Sequence, residues 1–391
     1  MNISVQKERI IAEPEGSVTS ANAAELEAQL EEVMDSEPGK ELEINAEKLN
    51  YISSAGLRML LSLQKKAGKP LTVSNVQPEV YEVLEVTGFT TLLNVRRRLR
   101  EVSVENCEII GRGAFGTVYR LDEDTIVKVY AGAEHLPMIE NEQKLAKQAF
   151  LRGIPTAIPF DIVRVGDTYG SVFEMVKAQN CADLMLREPE NRPELIRRYA
   201  AFIRSIHSIE AEEGDFPDIR KNYLGFLDQV AYALPEDIRA ALKELLEAMP
   251  PDLHIIHGDI QPKNVMYSDG EMMLIDMDTL SVGNPVFEFA GLFMSNIAYC
   301  EDEPDNTLRF YGIEADVCEE IYHQTLLEYL GRPDEEALRR NSDKIRVAGY
   351  LRFLYVILIQ GFCKPELREV RLQHVTEHLR ELLPRVDSLA I

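Results

Sequence analysis

The sequence predicts two domains in succession, a small α/β domain over residues 1–101 and a larger α+β domain over residues 105–391. One observation behind this prediction is length, since 391 residues with 45% hydrophobic content exceed one ordinary domain. Another is that strand-like and helix-like segments alternate over the first hundred residues, which is typical of a sheet covered by helices. Beyond them, a glycine-rich pattern at residue 111 lies among new strand-like runs, and the C-terminal half is mainly helical.

The segments of the first domain are predicted from their hydrophobic periodicity. In chain order they are a strand over 3–12, an amphipathic helix with Glu25, Leu26, Leu30 and Val33, a strand over 42–44, a helix over 57–66, a strand over 71–73 and a helix from Pro78. This βαβα order predicts a compact α/β domain.

The run from Leu49 to Leu61 is the distinctive part of this domain, because Ser53 and Ser54 stand directly before an amphipathic helix. A serine here is first of all a helix N-cap that accepts a backbone N–H bond. The run also resembles the STAS domain of anti-sigma factor antagonists, and residues 15–18 and 24–27 fit the same family. The resemblance implies that Ser54 is a candidate phosphoacceptor and that the domain docks a protein partner. Phosphate at this helix start would add nearly two charges and switch partner binding.

The glycine-rich pattern at residues 111–118 reads G-R-G-A-F-G-T-V and lies between two apolar strand-like runs, 108–110 and 118–121. This context favours a hairpin folded over phosphates and not the strand-to-helix turn of a dinucleotide site. Glycine suits this task because backbone must approach phosphates closely. The candidate nucleotide-binding residues are Gly111, Gly113, Gly116 and Val118.

A short β-branched run over residues 125–130 carries one lysine, Lys128. Alternate side chains of a strand share a face, so Lys128 points away from its two valine neighbours and can reach nucleotide phosphates. The following helix-like segment, 137–153, holds Glu140 and Glu142, and either could pair with Lys128. Glu142 is preferred because Leu145 continues its face at helical spacing.

The loop over residues 257–264 reads H-G-D-I-Q-P-K-N, and Asp276 ends a short apolar run seventeen residues after Asp259. These are the parts that phosphoryl transfer requires, since one carboxylate can hold an acceptor hydroxyl while Asn264 and a second carboxylate hold Mg²⁺. His257 is interpreted as a hydrogen-bonding residue that fixes the loop, because Asp259 already supplies the carboxylate.

Together these motifs resemble the protein-kinase-like superfamily, in particular its aminoglycoside phosphotransferase and choline kinase branch. The resemblance implies two lobes, about 105–178 and about 179–391, and binding of ATP or GTP with Mg²⁺. It assigns Asp259 as the catalytic base or the carboxylate that orients the acceptor, Asn264 and Asp276 as metal ligands, and Lys128 as a contact of the nucleotide phosphates. Residues 173–176 resemble the hinge that binds adenine, which makes Glu174 and Val176 candidates, although a core strand explains them equally well.

Several residues separate this chain from eukaryotic protein kinases, which carry Arg at Gly258 and Phe-Gly at Met277-Asp278. The run 283–290 instead resembles one found in small-molecule kinases, which favours a small hydroxylated acceptor. Many members of that branch have His at Gln261, Gly at Lys263 and Asp at Glu288, so the acceptor itself stays open. Lys263 could touch a transferred phosphate or cap the loop, and Asp278 could be a third acidic ligand or a solvated carboxylate.

The C-terminal helices are predicted over 195–207, 238–248, 317–330, 347–362 and 372–383. In the resembling family these segments and their loops select the acceptor. The Glu301-Asp302-Glu303 cluster and Glu288 are candidate acceptor-selecting acids, although an acidic loop is most often solvated.

The net charge and the cysteines indicate which partners and which compartment to expect. A formal net charge of −24 disfavours nucleic acid and anionic membrane surfaces, in spite of the Arg96–Arg100 cluster between the domains. The five widely spaced cysteines predict buried reduced thiols and a cytoplasmic protein.

Two functions of different classes follow from the sequence. In the first, the second domain phosphorylates a small molecule and the STAS domain regulates it or docks a partner. In the alternative, the second domain is a nucleotide switch or a protein serine kinase, and Ser54 is the output.

Overall fold

The computed structural model describes residues 1–113 and 116–391, so Ala114 and Phe115 of the glycine-rich pattern lie outside the described residues. The chain divides into two compact units, Met1–Ser103 and Val104–Ile391. Among the residues that the structure describes, none of the helices combines the length and the apolar character needed to cross a bilayer.

The first unit alternates strands and helices along the chain. Its strands are β1 (Asn2–Val5), β2 (Arg9–Glu13), β3 (Gly16–Val18), β4 (Glu41–Asn45), β5 (Leu49–Ile52), β6 (Thr72–Val76), β7 (Asn94–Arg97) and β8 (Arg100–Glu101). Its helices are α1 (Ala23–Ser36), α2 (Ser54–Ala67), α3 (Pro78–Val86) and α4 (Phe89–Leu92).

Five of these strands form one sheet in the order β1-β2-β4-β6-β7, and β3 pairs separately with β5. The pairs from β2 to β7 are parallel, as expected where helices connect the strands. Alternate residues of β2 and β4 are buried, so Ile10 and Ile44 enter a core that also holds Leu63 of α2. The predicted α/β domain is therefore built on a mostly parallel sheet.

The single strand predicted over 3–12 is wrong, because β1 and β2 form an antiparallel hairpin in which Asn2 lies opposite Glu13. The polar residues Gln6, Lys7 and Glu8 form the turn, where the Gln6 N–H donates to the Arg9 carbonyl over 2.7 Å. Apolar residues on both sides of this short turn made the segment read as one strand.

The second unit begins with strands and continues mainly with helices. Its strands are β9 (Ile109–Arg112), β10 (Gly116–Arg120), β11 (Thr125–Tyr130), β12 (Pro159–Val165), β13 (Thr168–Glu174), β14 (Gln179–Asn180), β15 (Ile255–Ile256), β16 (Val265–Ser268), β17 (Glu271–Leu274) and β18 (Ser281–Val282). Its helices are α5 (Leu136–Leu151), α6 (Cys181–Arg187), α7 (Arg192–His207), α8 (Ile219–Val230), α9 (Glu236–Glu247), α10 (Val286–Phe293), α11 (Tyr299–Asp302), α12 (Asn306–Tyr311), α13 (Ala315–Tyr329), α14 (Glu335–Leu358) and α15 (Arg368–Leu382).

Strands β9 to β13 form an antiparallel sheet in the order β12-β13-β11-β10-β9. Helix α5 packs against β12 and β13, and also against the turn Met277–Thr279 that follows Asp276. This double contact places one helix between the sheet and the loops of the helical region, which is where the candidate site lies.

The helical region packs around α14, which contacts α8, α10 and α15. Its core is rich in aromatic side chains, including Tyr223, Phe287 and Phe353. The helix predicted over 347–362 is only the second half of α14. The first half is polar and carries ion pairs one turn apart, such as Arg340 with Glu336, which apolar periodicity does not detect.

The cysteine prediction is partly wrong. Cys181 and Cys318 are buried, but Cys107, Cys300 and Cys363 are only partly buried. All five are free thiols. Burial raises the pKa of the Cys181 thiol to about 12, so this sulfur is unreactive at neutral pH.

Candidate active site

Lys128 lies in the middle of β11 and faces two carboxylates. Its Nζ is 2.9 Å from Oε1 of Glu142 on α5 and 2.6 Å from Oδ1 of Asp276. Glu142 is buried at 1% exposure, whereas the alternative partner Glu140 is exposed. Burial acts to lower the pKa of Lys128, but the two carboxylates hold it well above its usual range, so the ammonium is charged.

Glu142 and Asp276 respond differently to this shared lysine. Burial raises the pKa of Glu142 in spite of the Lys128 charge. For Asp276 burial also acts upward, but the charge of Lys128 prevails and lowers the pKa of that carboxyl. Asp276 is therefore the carboxylate that stays ionised most readily, and its side chain is 40% exposed.

The glycine-rich pattern forms the β9–β10 hairpin beside Lys128. Val118 pairs with Gly111 on one side and with Lys128 on the other, so it shares a face of the sheet with the lysine. Gly113 N–H donates to the Gly116 carbonyl over 2.9 Å. A Cβ on Gly116 would lie 2.3 Å from the Val129 carbonyl oxygen, so only glycine lets β10 approach β11 this closely.

The hinge candidate follows β13, which ends at Glu174. The Glu174 side chain accepts a bond from the Ile158 N–H over 3.2 Å, so its carboxylate serves the local fold. The Met175 N–H donates to the Asp124 carbonyl over 2.7 Å. Within residues 1–113 and 116–391 the Val176 N–H has no hydrogen-bond partner. This backbone donor is therefore free for a ligand.

The loop after β15 carries Asp259 and Asn264. The Asn264 amide donates to the Asp259 carboxylate over 3.1 Å and to the Asp259 carbonyl over 2.9 Å. His257 is fully buried, with Nδ1 accepting from the Asp259 N–H and Nε2 donating to the Ile275 carbonyl over 3.1 Å. This is the arrangement of a residue that holds the loop and not of a proton carrier.

Gly258 explains why this loop has no arginine at that position. Its φ is +82°, a left-handed conformation that L residues rarely adopt. A Cβ there would also lie 2.8 Å from the Thr279 carbonyl oxygen. The loop and the segment after Asp276 are therefore packed too closely for any other residue.

Asp276 is brought to the loop by the β16–β17 hairpin, in which Val265 pairs with Leu274. One residue further out, the Ile275 N–H donates to the Asn264 carbonyl over 3.0 Å. Asp276 itself has φ +65°, which costs an L residue free energy and is typical of functional sites. Asn264 and Asp276 thus lie at the open end of one hairpin.

The oxygen atoms at this end of the hairpin suit Mg²⁺. That ion prefers oxygen ligands and commonly takes one or two from protein, with phosphates and waters completing its shell. The ionised Asp276 carboxylate and the Asn264 amide oxygen match this need. Over residues 1–113 and 116–391, no three His, Cys, Asp or Glu side chains are grouped so as to hold a metal by themselves.

Asp278 is half-buried beside Asp276 and is not a solvated carboxylate. Burial, followed by the charge of Asp276, raises the pKa of Asp278 to about 7. Lys128 offsets only part of this effect, so the protonated form of the Asp278 carboxyl is more favoured than in a free aspartate.

Glu288 supports the loop and cannot select an acceptor, so that candidate role is wrong. It is fully buried and accepts bonds from the N–H groups of His257 at 2.6 Å and Gly258 at 2.9 Å. Burial acts to raise the pKa of Glu288, but the hydrogen bond and charge of His207 keep it below its usual value. A carboxylate in the first turn of α10 thus holds the backbone N–H groups of His257 and Gly258.

Arg352 holds the same loop from α14. Its Nη1 donates to the Gly258 carbonyl over 2.5 Å. Gly291 of α10 makes room for this contact, since a Cβ there would lie 2.6 Å from Nη1. Arg352 is not among the residues that the sequence predicts for the site, although a single arginine inside an apolar helix is the signal that could have found it.

The other candidate acceptor-selecting acids are paired with one face of α15. Asp302 lies 2.6 Å from His374, and Glu303 lies 2.9 Å from Arg371. Glu301 accepts from the Tyr350 hydroxyl over 2.7 Å and lies 3.6 Å from His378. These carboxylates therefore join α11 to the C-terminal helix, and the expectation of a solvated acidic loop is wrong.

Lys263 lies between Asp259 and Asn264 in sequence and is exposed. Its Nζ is 4.9 Å from the centre of the Tyr311 ring. Burial acts to raise the pKa of Asp276, and the charge of Lys263 acts to lower it, in the same direction as the larger effect of Lys128. Lys263 therefore adds positive charge beside the metal candidates.

In the first unit, Ser53 and Ser54 have different positions at the start of α2. The Ser53 hydroxyl accepts bonds from the Ala55 N–H at 3.3 Å and the Gly56 N–H at 3.5 Å, so Ser53 is the cap. Ser54 is the first residue of the 14-residue helix and is exposed. The hydroxyl of Ser54 is therefore accessible near the positive end of the helix dipole.

Comparison with known proteins shows a family for each unit. Residues 106–325 match the phosphotransferase enzyme family, and residues 8–94 match the Mlab STAS domain. The chain is also 37% identical over 89 residues to BtrV of Bordetella bronchiseptica, which is named as an anti-sigma factor antagonist. This match covers 22% of the chain and 76% of BtrV. The resemblances seen in the sequence are thereby confirmed.

The solved structures that this chain resembles include an aminoglycoside phosphotransferase and a choline/ethanolamine kinase family protein. The ADP-bound aminoglycoside phosphotransferase APH(2'')-Ib matches with a TM-score of 0.50 and 14% identity, over 77% of this chain and 98% of that chain. A choline/ethanolamine kinase family protein from Mesorhizobium loti matches with a TM-score of 0.47 and 16% identity, over 71% of this chain and 91% of that chain. The first match shows that the second unit has the predicted kinase-like fold.

Proposed function

Since the chain belongs to the phosphotransferase enzyme family and carries a STAS domain of the anti-sigma factor antagonist type, we propose that its second unit transfers a nucleotide γ-phosphate to a hydroxyl group of a small molecule. The observation that carries this proposal is the convergence of Lys128, Glu142 and Asp276 beside the Asp259–Asn264 pair. These are the charged groups that positioning and stabilising a transferred phosphoryl group requires.

Each residue has a distinct task in this proposal. Lys128, oriented by Glu142, binds the nucleotide phosphates, and Asn264 and Asp276 would hold Mg²⁺. When bound, the metal ion neutralises charge on the phosphate oxygens. Asp259 accepts the proton of the acceptor hydroxyl as that oxygen bonds to the γ-phosphorus. The bond from this phosphorus to the bridging oxygen breaks, and the nucleoside diphosphate leaves.

The nucleotide is ATP or GTP. Its phosphates would lie under Gly111, Gly113, Gly116 and Val118, and the unpaired Val176 N–H would bind the base. The ADP in the APH(2'')-Ib structure supports a nucleotide substrate for a chain with this fold. Competition between ATP and GTP in a binding assay would identify the base.

The proposal is tested by acceptor-dependent release of nucleoside diphosphate, with a panel of alcohols and aminoglycosides. We expect Asp259→Asn to lower turnover by roughly 100-fold or more, because removing a general base costs about two to four orders of magnitude. Asp269→Asn is the matched control, since Asp269 is exposed in a turn where asparagine is equally tolerated. Absence of turnover with every acceptor and nucleotide would contradict the proposal.

A second candidate function is supported by Ser54 and by the similarity to BtrV. Here the second unit acts as a nucleotide switch or a protein serine kinase, and the STAS domain is the output toward a protein partner. Mass spectrometry of the protein after incubation with ATP would distinguish the two. Phosphate found on Ser54 without turnover of any small acceptor would favour this candidate.

A further inference from the structure

Tyr130 stands two residues after Lys128 in β11, and alternate residues of a strand share a face. Its side chain therefore points to the same side as the lysine, toward α5. There the Tyr130 hydroxyl donates a hydrogen bond to Oε2 of Glu142, while Oε1 of the same carboxylate receives Lys128. Both oxygens of this buried carboxylate are thus engaged by residues of one strand.

The Tyr130 hydroxyl is suited to act as a permanent donor. Tyr130 is only 2% exposed. Burial, followed by the negative charge of Glu142, raises the pKa of Tyr130 well above its usual range, so the hydroxyl stays protonated. Hydrogen bonds to a buried charged group are among the stronger ones in proteins.

The backbone of Tyr130 is held on both sides. Tyr130 pairs with Gly116, the last glycine of the glycine-rich pattern, and a Cβ on Gly116 would lie 3.3 Å from the Tyr130 Cα. On the other side, the Thr168 hydroxyl donates to the Tyr130 carbonyl over 2.9 Å. The backbone position that carries the Tyr130 ring is therefore held in place between β10 and β13.

We propose that Tyr130 is a positioning residue that orients Glu142, and through it Lys128, for contact with the nucleotide phosphates. The inference rests on the proposed phosphotransferase function and adds to it a residue outside the glycine, lysine and carboxylate motifs. Because Tyr130 holds Oε2, only Oε1 is left for Lys128. Two N–H groups of the Lys128 ammonium face Glu142 and Asp276, and the third remains available for a phosphate. Without the Tyr130 hydroxyl, both carboxylate oxygens of Glu142 turn toward Lys128, and they draw the Lys128 ammonium away from the phosphate position.

The first test is nucleotide affinity in the full chain carrying Tyr130→Phe, measured by titration with a non-hydrolysable ATP analogue and Mg²⁺. We expect the dissociation constant to rise about 10-fold, with a smaller change in kcat at saturating nucleotide. Tyr322→Phe is the matched control, because Tyr322 is also buried and its hydroxyl has no partner within the described residues. This control should bind the analogue like the wild type.

The second test asks whether Tyr130 acts through Glu142. In a double-mutant cycle with Glu142→Gln, the two substitutions together should weaken binding no more than Glu142→Gln alone. Additive effects would show that Tyr130 acts by another route and would overturn the inference. If the wild type binds the analogue and Tyr130→Phe binds it equally well, the inference about Tyr130 is overturned but the proposed function is not. Absence of nucleotide binding by the wild type would overturn the proposed function as well.

Discussion

Lys128 and Asp276 are 148 residues apart in the chain, yet Nζ and Oδ1 lie 2.6 Å apart. The lysine has a second partner, Glu142, whose side chain is only 2% exposed against 40% for Asp276. Glu142 is therefore the buried partner of Lys128. In the proposed function a nucleotide phosphate would take the place of Asp276 beside Lys128, and the Asp276 carboxylate would then hold Mg²⁺. The contact of Lys128 with Glu142 therefore bears mainly on stability, and its contact with Asp276 bears mainly on activity.

Lys128→Ala should affect both turnover and stability. We expect nucleotide-dependent turnover to fall roughly 100-fold or more, since one preorganised charge at the phosphates is lost. The substitution also leaves Glu142 buried without its cation, which should lower the free energy of unfolding by about 3 kcal/mol. Diphosphate release and thermal unfolding measure the two effects.

Lys243→Ala is the control for the stability effect. Lys243 forms an exposed pair one turn from Glu247, and such pairs contribute about 0.5 kcal/mol or less. A Lys128→Ala protein as stable as this control would show that Glu142 is not held by the lysine.

Gly291→Ala tests the contact of Arg352 with the loop. The new methyl group would lie 2.6 Å from the arginine Nη1 and 3.2 Å from the Gly258 carbonyl oxygen, so the guanidinium must move away. We expect kcat to fall about 10-fold with nearly unchanged nucleotide affinity, because the Asp259 loop loses a charge-assisted hydrogen bond. Steady-state kinetics and nucleotide titration check this expectation.

Gly225→Ala provides the comparison, since Gly225 also lies within a helix but a Cβ there meets nothing within 4 Å. Replacing a helical glycine by alanine stabilises by up to about 1 kcal/mol. Full activity in both variants would mean that the Arg352 contact is dispensable.

Glu303 should make stability depend on pH in the acid range. Burial acts to raise the pKa of Glu303, but hydrogen bonds from Lys364, Asn306 and Arg371 lower it to about 2. A lowered pKa stabilises the fold fully above the unfolded value of about 4.3, and the contribution is lost as pH falls toward 2. This difference corresponds to about 3 kcal/mol.

The measurement is thermal unfolding of wild type and Glu303→Gln between pH 7 and pH 3. The difference in unfolding free energy between the two proteins should be constant above about pH 5 and should shrink below it. Glu381→Gln, at an exposed position near the end of α15, should show no such change. If the stability difference between wild type and Glu303→Gln grows as the pH falls, the pKa of Glu303 is not lowered in the folded protein and the assignment is refuted.

The parts of the site that are contiguous in sequence could be predicted. The bounds 125–130 agree with β11, since a β-branched run between turns has few other conformations. The choice of Glu142 over Glu140 followed from helical spacing, and the structure pairs Glu142 with Lys128. The same alternation that placed Lys128 also placed Tyr130 on its face, but a tyrosine in a strand is usually part of the core.

The parts that depend on distant contacts could not be predicted. Arg352 is 94 residues from Gly258, and Glu288 is 31 residues from His257. Nothing local distinguishes a carboxylate that accepts backbone bonds from one that binds a substrate. The acids of residues 301–303 likewise have partners on α14 and α15, far along the chain.

Ser53 and Ser54 should respond differently to replacement by alanine. Ser53→Ala removes the cap of α2 and should destabilise the first unit by about 1 kcal/mol. Ser54→Ala removes an exposed hydroxyl and should change stability by less than about 0.5 kcal/mol. If Ser54 is the phosphoacceptor, phosphate incorporation should be lost in Ser54→Ala and retained in Ser53→Ala, as measured by mass spectrometry. Phosphate on Ser53, or a Ser54→Ala protein less stable than Ser53→Ala, would assign the two roles the other way round.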